Sequence, residues 1–596
     1  MKRAWLCVPI ARATTTALIW MAPVAVLPAA QQVPLAVQES AGLRRAHEHV
    51  TSGVPFPMGA LKDAERIRLV DEEGKELPLQ VRANASWRDG SVKWALLDFP
   101  LTVEANGARR LTLEFGAGVT RSVIRDGARI QETAEAVEVS TGPMRFTTAK
   151  TSGNVLQSVL LDANRDGRFD EAERVATGLA ATMTLAGQPP ERVLHALPPT
   201  EVEVEERGPE RVVIKALGWL HDGEGAPTSP KMQYLWRLQA RAGSAAMQAR
   251  FTVVNLSPTN KLTLVRRYGV KLLGDATAGG SAMMGGESKP HLASLTNSTS
   301  ATELRQLSEG EYRVHSLSGE AQGIRAPGWA ALTGHRAGVL LAVRDFWQQF
   351  PKSLRADDSG LAAELYPAEA AEPFDWDQGL AKTHELLLDF DAHQLTAETA
   401  SARVAAFENP LFAVAPAPWY CDSKVFGDLA PFDFDLFPDY ETLVEASGDK
   451  FIHSMATGIR NWGDFYYGGP YKGKNSYMNL EYDVPHNFLV QFARTGQRKY
   501  LDAAQIMARH QADIDVNHFT GWQWKHSPRH TEIQAEFGHT FTRGLLEHSF
   551  FTGDRRTFEA AVELGGYFAK DFQNPRSLGN ERQIGWGLIS LLPVYE

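Results

Sequence analysis

Cysteine is nearly missing from this 596-residue chain, which has only Cys7 and Cys421. Cys7 lies in a leader-like segment, so a mature chain would keep Cys421 alone and could form no intrachain disulfide. Runs rich in Lys and Arg are also lacking, and the formal net charge is −10. That excludes a broad nucleic-acid surface, because phosphate binding needs a basic face. It leaves room for an anionic substrate, which needs only a locally positive cleft. Beyond the leader there is no run of about 18 apolar residues, so no membrane span is expected. The rest of the composition is ordinary, with 43% hydrophobic and 22% charged residues. This supports several buried cores and excludes large-scale disorder.

The first thirty residues read as an export signal. Lys2 and Arg3 precede an apolar stretch from about Ala17 to Leu27, and Pro28, Ala29 and Ala30 supply small residues for cleavage. Arg12 inside the leader keeps a short anchor as the competing reading. The expectation is a signal peptide over 1–30 and a secreted or periplasmic protein of bacterial type.

Two stretches near the C-terminus repeat each other at a spacing of 57 residues, one from Phe488 to Ala504 and the other from Leu545 to Ala561. Each is a helix, a Thr-Gly break at Gly496 or Gly553, and a second helix. Such a period marks stacked helical hairpins, none of which buries its apolar face alone. The pattern predicts an α/α toroid domain over 420–596, with everything after about Tyr440 helical. The terminal run from Trp586 to Glu596 resembles the helix before each break but stops before a break arrives, so the toroid is expected to be incomplete.

Upstream, the pattern switches to period two. The segment from Ile67 to Val81 reads as two strands joined by a turn at Gly74, and Trp87 to Trp94 reads as a hairpin turned at Asp89-Gly90. These predict a small all-β N-terminal domain over 40–125. Strand-like runs at 212–220, 233–240, 247–255, 261–273 and 338–345 predict a central antiparallel β-sandwich over 130–412. Residues 274–300 read as a long surface loop, and Pro410 to Pro418 as the linker to the helices.

Asp162, Asn164, Asp166, Asp170 and Glu173 fall at loop positions 1, 3, 5, 9 and 12 of a calcium loop, with Gly167 at the sharp sixth position. A strand precedes the loop where an EF-hand would have a helix. The expectation is a structural Ca2+ site in the β domain; the competing reading is an acidic hairpin without metal.

The helical part carries a dense group of chemistry-bearing side chains. Tyr482, His486 and Asn487 lie in one segment; Trp522, Trp524, Lys525, His526, Arg529, His530 and His539 lie in another. Aromatic faces stack on sugar rings, while imidazole, phenol and guanidinium move protons or hold carboxylates. A lone His or Tyr in a helical domain is more often structural, so the weight rests on the cluster. Metal catalysis is disfavoured because Pro528 breaks the segment holding His526 and His530 and no His-Glu-x-x-His run exists. In the sandwich, Trp347 and Lys352 are candidates for substrate contact. Lys382 and His384 share one face of a strand and could point together into a cleft, although an exposed polar strand face has the same pattern.

These residues carry a resemblance to the exo-rhamnogalacturonan lyase family, polysaccharide lyase family 26, and its YetA-like bacterial relatives. The matching features are Val54 to Gly59 with the Trp87-to-Trp94 hairpin, the Asp162 loop, Phe346 to Lys352, Gly379 to His384, and the segment from Tyr477 onward. The resemblance implies an N-terminal RIFT-type β-barrel, a central β-sandwich of catalytic type and a C-terminal α/α toroid. It also implies β-elimination on an anionic polysaccharide containing uronic acid, similar to rhamnogalacturonan.

That reaction removes the C5 proton of a uronic acid and expels the O4 oxygen, so the sugar carboxylate must first be neutralised. Neutralisation is assigned to Arg529 and Asn487, with Lys382 from across the cleft. The base is His486, His530 or Tyr482, and Trp522 and Trp524 are the sugar platforms. One alternative is a glycoside hydrolase on the same scaffold, using two carboxylates among Glu481, Asp483, Glu532 and Glu536. The other is a non-catalytic glycan-binding protein.

Overall fold

The computed structural model describes residues 30–187, 191–223, 230–259, 261–274, 280–294, 301–317, 319–334, 337–471, 474–573 and 580–596, with the side chains of 468–475 left aside. The expected signal peptide lies almost wholly outside the described residues. No helix among them is long and apolar enough to cross a membrane.

The N-terminal region is two small antiparallel sheets. In one, strand Gln31–Gln38 lies between Ala108–Phe115 and the short strand Ala413–Val414. In the other, Val92–Val103 lies between Arg45–Pro55 and Gln80–Ser86. The hairpin at Asp89-Gly90 forms as expected, with Gly90 at φ +81°. The turn expected at Gly74 forms too, at φ +78°, with Val70 bridged to Glu76 and the Leu77 N–H donating to the Leu69 carbonyl at 2.9 Å, but the strands do not stay paired beyond it. Ile67–Val70 pairs with Ala108–Phe115, and Gln80–Ser86 pairs with Val92–Val103. Both strands are amphipathic, and each finds its partner in a different sheet.

From Arg129 to Asp391 all strands pair antiparallel in one continuous sheet that curls almost into a closed barrel. Its interior is packed with Val, Leu, Met and aromatic side chains, including Trp236 and Trp376, both with no exposed surface. The predicted runs appear as Arg211–His221, Met232–Arg241, Ala246–Asn255, Leu262–Gly274 and Gly338–Val343. Residues 274–300 are not one long loop, because Ser281–Met284 and His291–Ser294 pair as a hairpin. Small side chains let this hairpin pack flat, and its Ala282 and Ala293 are buried.

Among the described residues eight α-helices follow: α1 (Ala397–Glu408), α2 (Ala417–Asp422), α3 (Pro438–His453), α4 (Val484–Thr495), α5 (Arg498–His510), α6 (Arg543–Thr552), α7 (Arg555–Asp571) and α8 (Glu581–Tyr595). The repeat folds as two hairpins, α4 with α5 and α6 with α7. Gly496 and Gly553 end the first helix of each at φ +69° and +74°, a conformation glycine adopts without strain. The region after Tyr440 is not helical throughout: Tyr466–Tyr471 and Lys474–Tyr477 form a hairpin, and most of 516–542 is irregular.

The proline-bearing stretch at 410–418 is part of the first domain. Leu411, Phe412 and Ala413 are buried there. One core runs through the N-terminal sheets and the helical hairpins, with the Trp94 ring 4.7 Å from Phe551 and Phe551 5.4 Å from Phe492. The buried cysteine Cys421 is free.

Candidate functional site

The two segments singled out in the sequence meet in space. Asn479 donates to the Trp524 carbonyl at 3.3 Å and to the His530 carbonyl at 2.9 Å, and Gln523 donates back to the Asn479 carbonyl at 3.3 Å. The turn that follows is unusual, because Asn479, Leu480, Tyr482 and Asp483 all have positive φ between 48° and 67°. Non-glycine residues pay for that conformation, so the surroundings must hold it. Asp483 is anchored by the Gly544 N–H at 3.2 Å. With its neighbours so fixed, Tyr482 is turned outward, half exposed, while Glu481 is buried.

Glu481 is the centre of an accessible cluster. Its carboxylate lies 3.0 Å from His539 Nε2, 3.3 Å from His526 Nδ1 and 3.0 Å from Arg582 Nη2 on α8. Burial alone would raise the Glu481 carboxyl, but the two histidines and Arg582 hold it below its usual range. Burial pushes the His526 imidazole down, against the pull of the Glu481 carboxylate. His539 also meets Glu536 at 3.0 Å, and Glu536 meets Lys525 at 3.0 Å. Tyr467 stacks on His526 with ring centroids 4.9 Å apart, and Tyr466, Tyr467 and Tyr482 are each 43% exposed or more. A carboxylate that orients imidazoles beside an arginine and exposed phenols can hold an acidic sugar and move a proton.

His526, His539 and Lys525, expected from the sequence as substrate-binding residues, lie in one neighbourhood around Glu481, which the sequence offered only for the hydrolase alternative. Arg582 was missed, since it sits alone on a distant helix and no spacing points to it.

Other assignments need correction. His530 has no exposed surface and lies among Asp464, His510 and Asp515, so it cannot reach a polysaccharide. Lys382 and His384 do share a strand face, but both are buried there, and His384 Nε2 is 2.7 Å from the Tyr268 hydroxyl. Burial pushes the Lys382 ammonium down to about 8. The alternate residues reach the helices instead: Thr383 donates to Asp513 at 2.7 and 2.9 Å, and Glu385 meets Arg509 at 2.9 Å. Lys352 is fully buried, donating to the Gln349 carbonyl at 2.9 Å. Trp347 is half-buried under Arg325, 4.0 Å away.

His486 sits on α4 against Glu547 at 2.7 Å, and that carboxylate outweighs burial and raises the imidazole. Asn487 is exposed and donates to the Tyr482 carbonyl at 3.0 Å. Arg529 pairs with Asp375 and Asp377 of the sandwich at 2.8 and 3.5 Å. Trp522 and Trp524 are half-buried and meet edge to face at 5.9 Å.

At the calcium-type loop, Asp162 accepts the Asp166 and Gly167 N–H groups at 3.0 Å each, and Asn164 and Asp166 make similar short-range bonds. The loop is thus curled by hydrogen bonds among its own residues, with Gly167 at φ +77°. Glu173, however, spends both oxygens on the Ala163 and Asp170 N–H groups at 3.1 Å. A cavity of about 860 Å³ opens where barrel, sandwich and helices meet. Its arginines, among them Arg45, Arg211, Arg241, Arg250 and Arg344, are all paired with carboxylates.

Against known proteins, residues 36–113 match the family described as the PcRGLX-like N-terminal RIFT barrel domain. The uncharacterized protein YetA of Bacillus subtilis (strain 168) is 23% identical over 620 residues, covering 86% of this chain and 70% of that protein. An alpha-mannosidase from Enterococcus faecalis V583 shares 10% identity at a TM-score of 0.38, covering 65% of this chain and 46% of its own. This chain therefore spans less than half of that enzyme's length. A galactose mutarotase-like protein from Clostridium acetobutylicum shares 8% identity at a TM-score of 0.28, over 44% of this chain and 98% of its own. Nothing about function is drawn from likenesses this distant. The matched RIFT barrel and the relation to YetA along most of the chain together support the PcRGLX/YetA-like family for this protein.

Proposed function

We propose that the protein is a carbohydrate-active enzyme, and more finely a polysaccharide lyase acting on a uronic-acid glycan similar to rhamnogalacturonan. The observation that carries this is Glu481 holding His526, His539 and Arg582 together beside exposed Tyr467 and Tyr482. Arg582 and Lys525 neutralise the sugar carboxylate, His526 accepts the C5 proton with Glu481 orienting its ring, and the tyrosines carry sugar faces. The family relationship favours an anionic substrate. A glycoside hydrolase would need a second free carboxylate, and Glu536 is tied to Lys525 and His539.

Two further readings belong here. The helical hairpins extend into an α/α toroid that walls the cleft, and the Asp162 loop takes a structural Ca2+ through Asp162, Asn164, Asp166, Asp170 and Glu173. For the ion to bind, Glu173 must turn from the backbone to the loop centre.

The test is to incubate the protein with uronic-acid polysaccharides and follow the ultraviolet absorbance of the unsaturated product. H526A and E481Q should each lower turnover by about 10²–10⁴-fold without unfolding the chain. Wild-type rates in both would discard this site. New reducing ends without absorbance would make the enzyme a hydrolase, and glycan binding without any product would make it a binding protein.

A further inference from the structure

The place where His530 came to rest has a chemistry of its own. Asp464, His510, Asp515 and His530 are each 4% exposed or less. They come from three separate stretches: the turn before the Tyr466–Tyr471 strand, the end of α5 with the π-helical turn Gln511–Asp515 that follows it, and the irregular loop near 530. One ligand atom from each of Asp464, His510 and His530 lies within 4.8 Å of the others. Asp464 Oδ2 is 3.4 Å from His530 Nδ1 and 4.0 Å from His510 Nε2. Asp515 Oδ1 is 3.4 Å from His510 Nε2 and 3.7 Å from His530 Nδ1. Donors about 2.0–2.1 Å from a central ion at tetrahedral angles stand roughly 3.3–3.4 Å apart, so Asp464, His510 and His530, within 4.8 Å of one another, would close on an ion by small side-chain shifts, with Asp515 beside the two imidazoles.

The inward atoms are unsatisfied. His510 Nε2, His530 Nδ1, Asp464 Oδ1 and both Asp515 carboxylate oxygens have no hydrogen-bond partner despite their burial. Buried polar atoms are almost always paired, so leaving His510 Nε2, His530 Nδ1 and Asp515 Oδ1 this close together without partners is unfavourable unless something binds there.

The outward atoms are held. His510 Nδ1 is 3.0 Å from the Trp462 carbonyl, and His530 Nε2 is 3.3 Å from the Asn461 Oδ1. A carbonyl oxygen can only accept, so the outer nitrogen of each neutral ring carries the proton and the inner nitrogen presents a lone pair. Asp464 Oδ2 also accepts the Asn479 N–H at 2.8 Å, and Tyr477 stacks on the His530 ring at 4.2 Å. The segment 461–464 thus supplies one ligand and both oxygens that set the imidazole tautomers. His530 itself sits at φ +66°, a cost with no return unless its ring is needed there.

We infer that Asp464, His510 and His530, with Asp515 beside the two imidazoles, bind a divalent transition-metal ion, with Zn2+ the best fit, as a buried staple joining three separate stretches of the chain. Two carboxylates balance the charge of the ion, two neutral imidazoles suit a borderline ion, and full burial suits a structural role. The Glu481, His526 and His539 group is not an equivalent site, because Arg582 already places a positive charge on Glu481 at 3.0 Å. The inference does not depend on the lyase reading.

The test is metal analysis of the full chain after dialysis against metal-free buffer. About one equivalent of zinc is expected. Removing it with a strong chelator should lower Tm, and adding Zn2+ back should restore it. Cobalt substitution should give the visible absorption of tetrahedral Co2+, which requires no variant. H510Q/D515N should lose the ion, whereas E481Q and D162N/D166N should retain it, which separates this site from the accessible cluster and from the calcium-type loop. If the double variant does not fold, the Co2+ spectrum of the wild type decides. Less than about a tenth of an equivalent after exposure to Zn2+, Co2+ and Mn2+, with no change in Tm, would overturn the inference.

Discussion

Glu385 joins the sandwich to the helices, and its removal has a calculable effect. Its carboxylate accepts Arg250 Nε at 2.6 Å, pairs with Arg344, and meets Arg509 of α5 at 2.9 Å, while its side chain is 13% exposed. In E385Q, Arg250 and Arg509 keep Asp554 at 3.5 and 3.4 Å. Arg344 is left with the Glu408 carbonyl at 3.3 Å and the Phe407 ring at 4.1 Å. The loss therefore centres on one largely buried guanidinium deprived of its carboxylate. Breaking such a pair costs about 3–5 kcal/mol, and the remaining partners place E385Q near the lower end. Burial would raise the Glu385 carboxyl, but the three arginines hold it well below the usual range. A carboxylate whose folded pKa is depressed gives stability that is fully present above the unfolded value of about 4.5 and is lost as pH falls through the folded value. Urea midpoints of wild type and E385Q should thus differ by a constant amount from pH 8 to about 5 and converge below about 4.5. A difference under about 0.5 kcal/mol at pH 7, or one that persists unchanged to pH 3, would refute the reasoning.

Two further perturbations follow from local geometry. A Cβ at Gly544 would stand 2.6 Å from both Asp483 Oδ1 and the His486 nitrogen, so G544A should lower stability by about 1–3 kcal/mol and, by displacing the Tyr482 turn, lower turnover as well. Circular dichroism melts and the absorbance assay check the two effects separately. Millimolar Ca2+ should raise Tm in the wild type and leave the Tm of D162N/D166N unchanged; a wild type indifferent to Ca2+ would make the loop an acidic hairpin.

Much of the architecture was legible because it rests on local periodicity. The 57-residue repeat with Gly496 and Gly553 announced both helical hairpins, and the alternation at Val212 to Leu220 announced a strand. The Asp89-Gly90 turn worked for the same reason. Where a segment could satisfy its pattern with more than one partner, the reading failed. Beyond the turn at Gly74 the two strands part into different sheets, and Pro410 to Pro418 returned to complete the first sheet. At the candidate site the residue types were visible but not their depths. His526 and His530 are four positions apart and look alike in the sequence, yet one lies beside exposed tyrosines and the other has no exposed surface.

The order of apolar and polar residues by itself determined the element types, the hairpin repeat and the gathering of aromatics and histidines in one region, because these depend on neighbours a few positions away. Only the tertiary structure decided which of those side chains meet solvent and which converge on one another. Burial is set by contacts among residues as distant as 464, 510 and 530, or 481 and 582, and no local spacing records them.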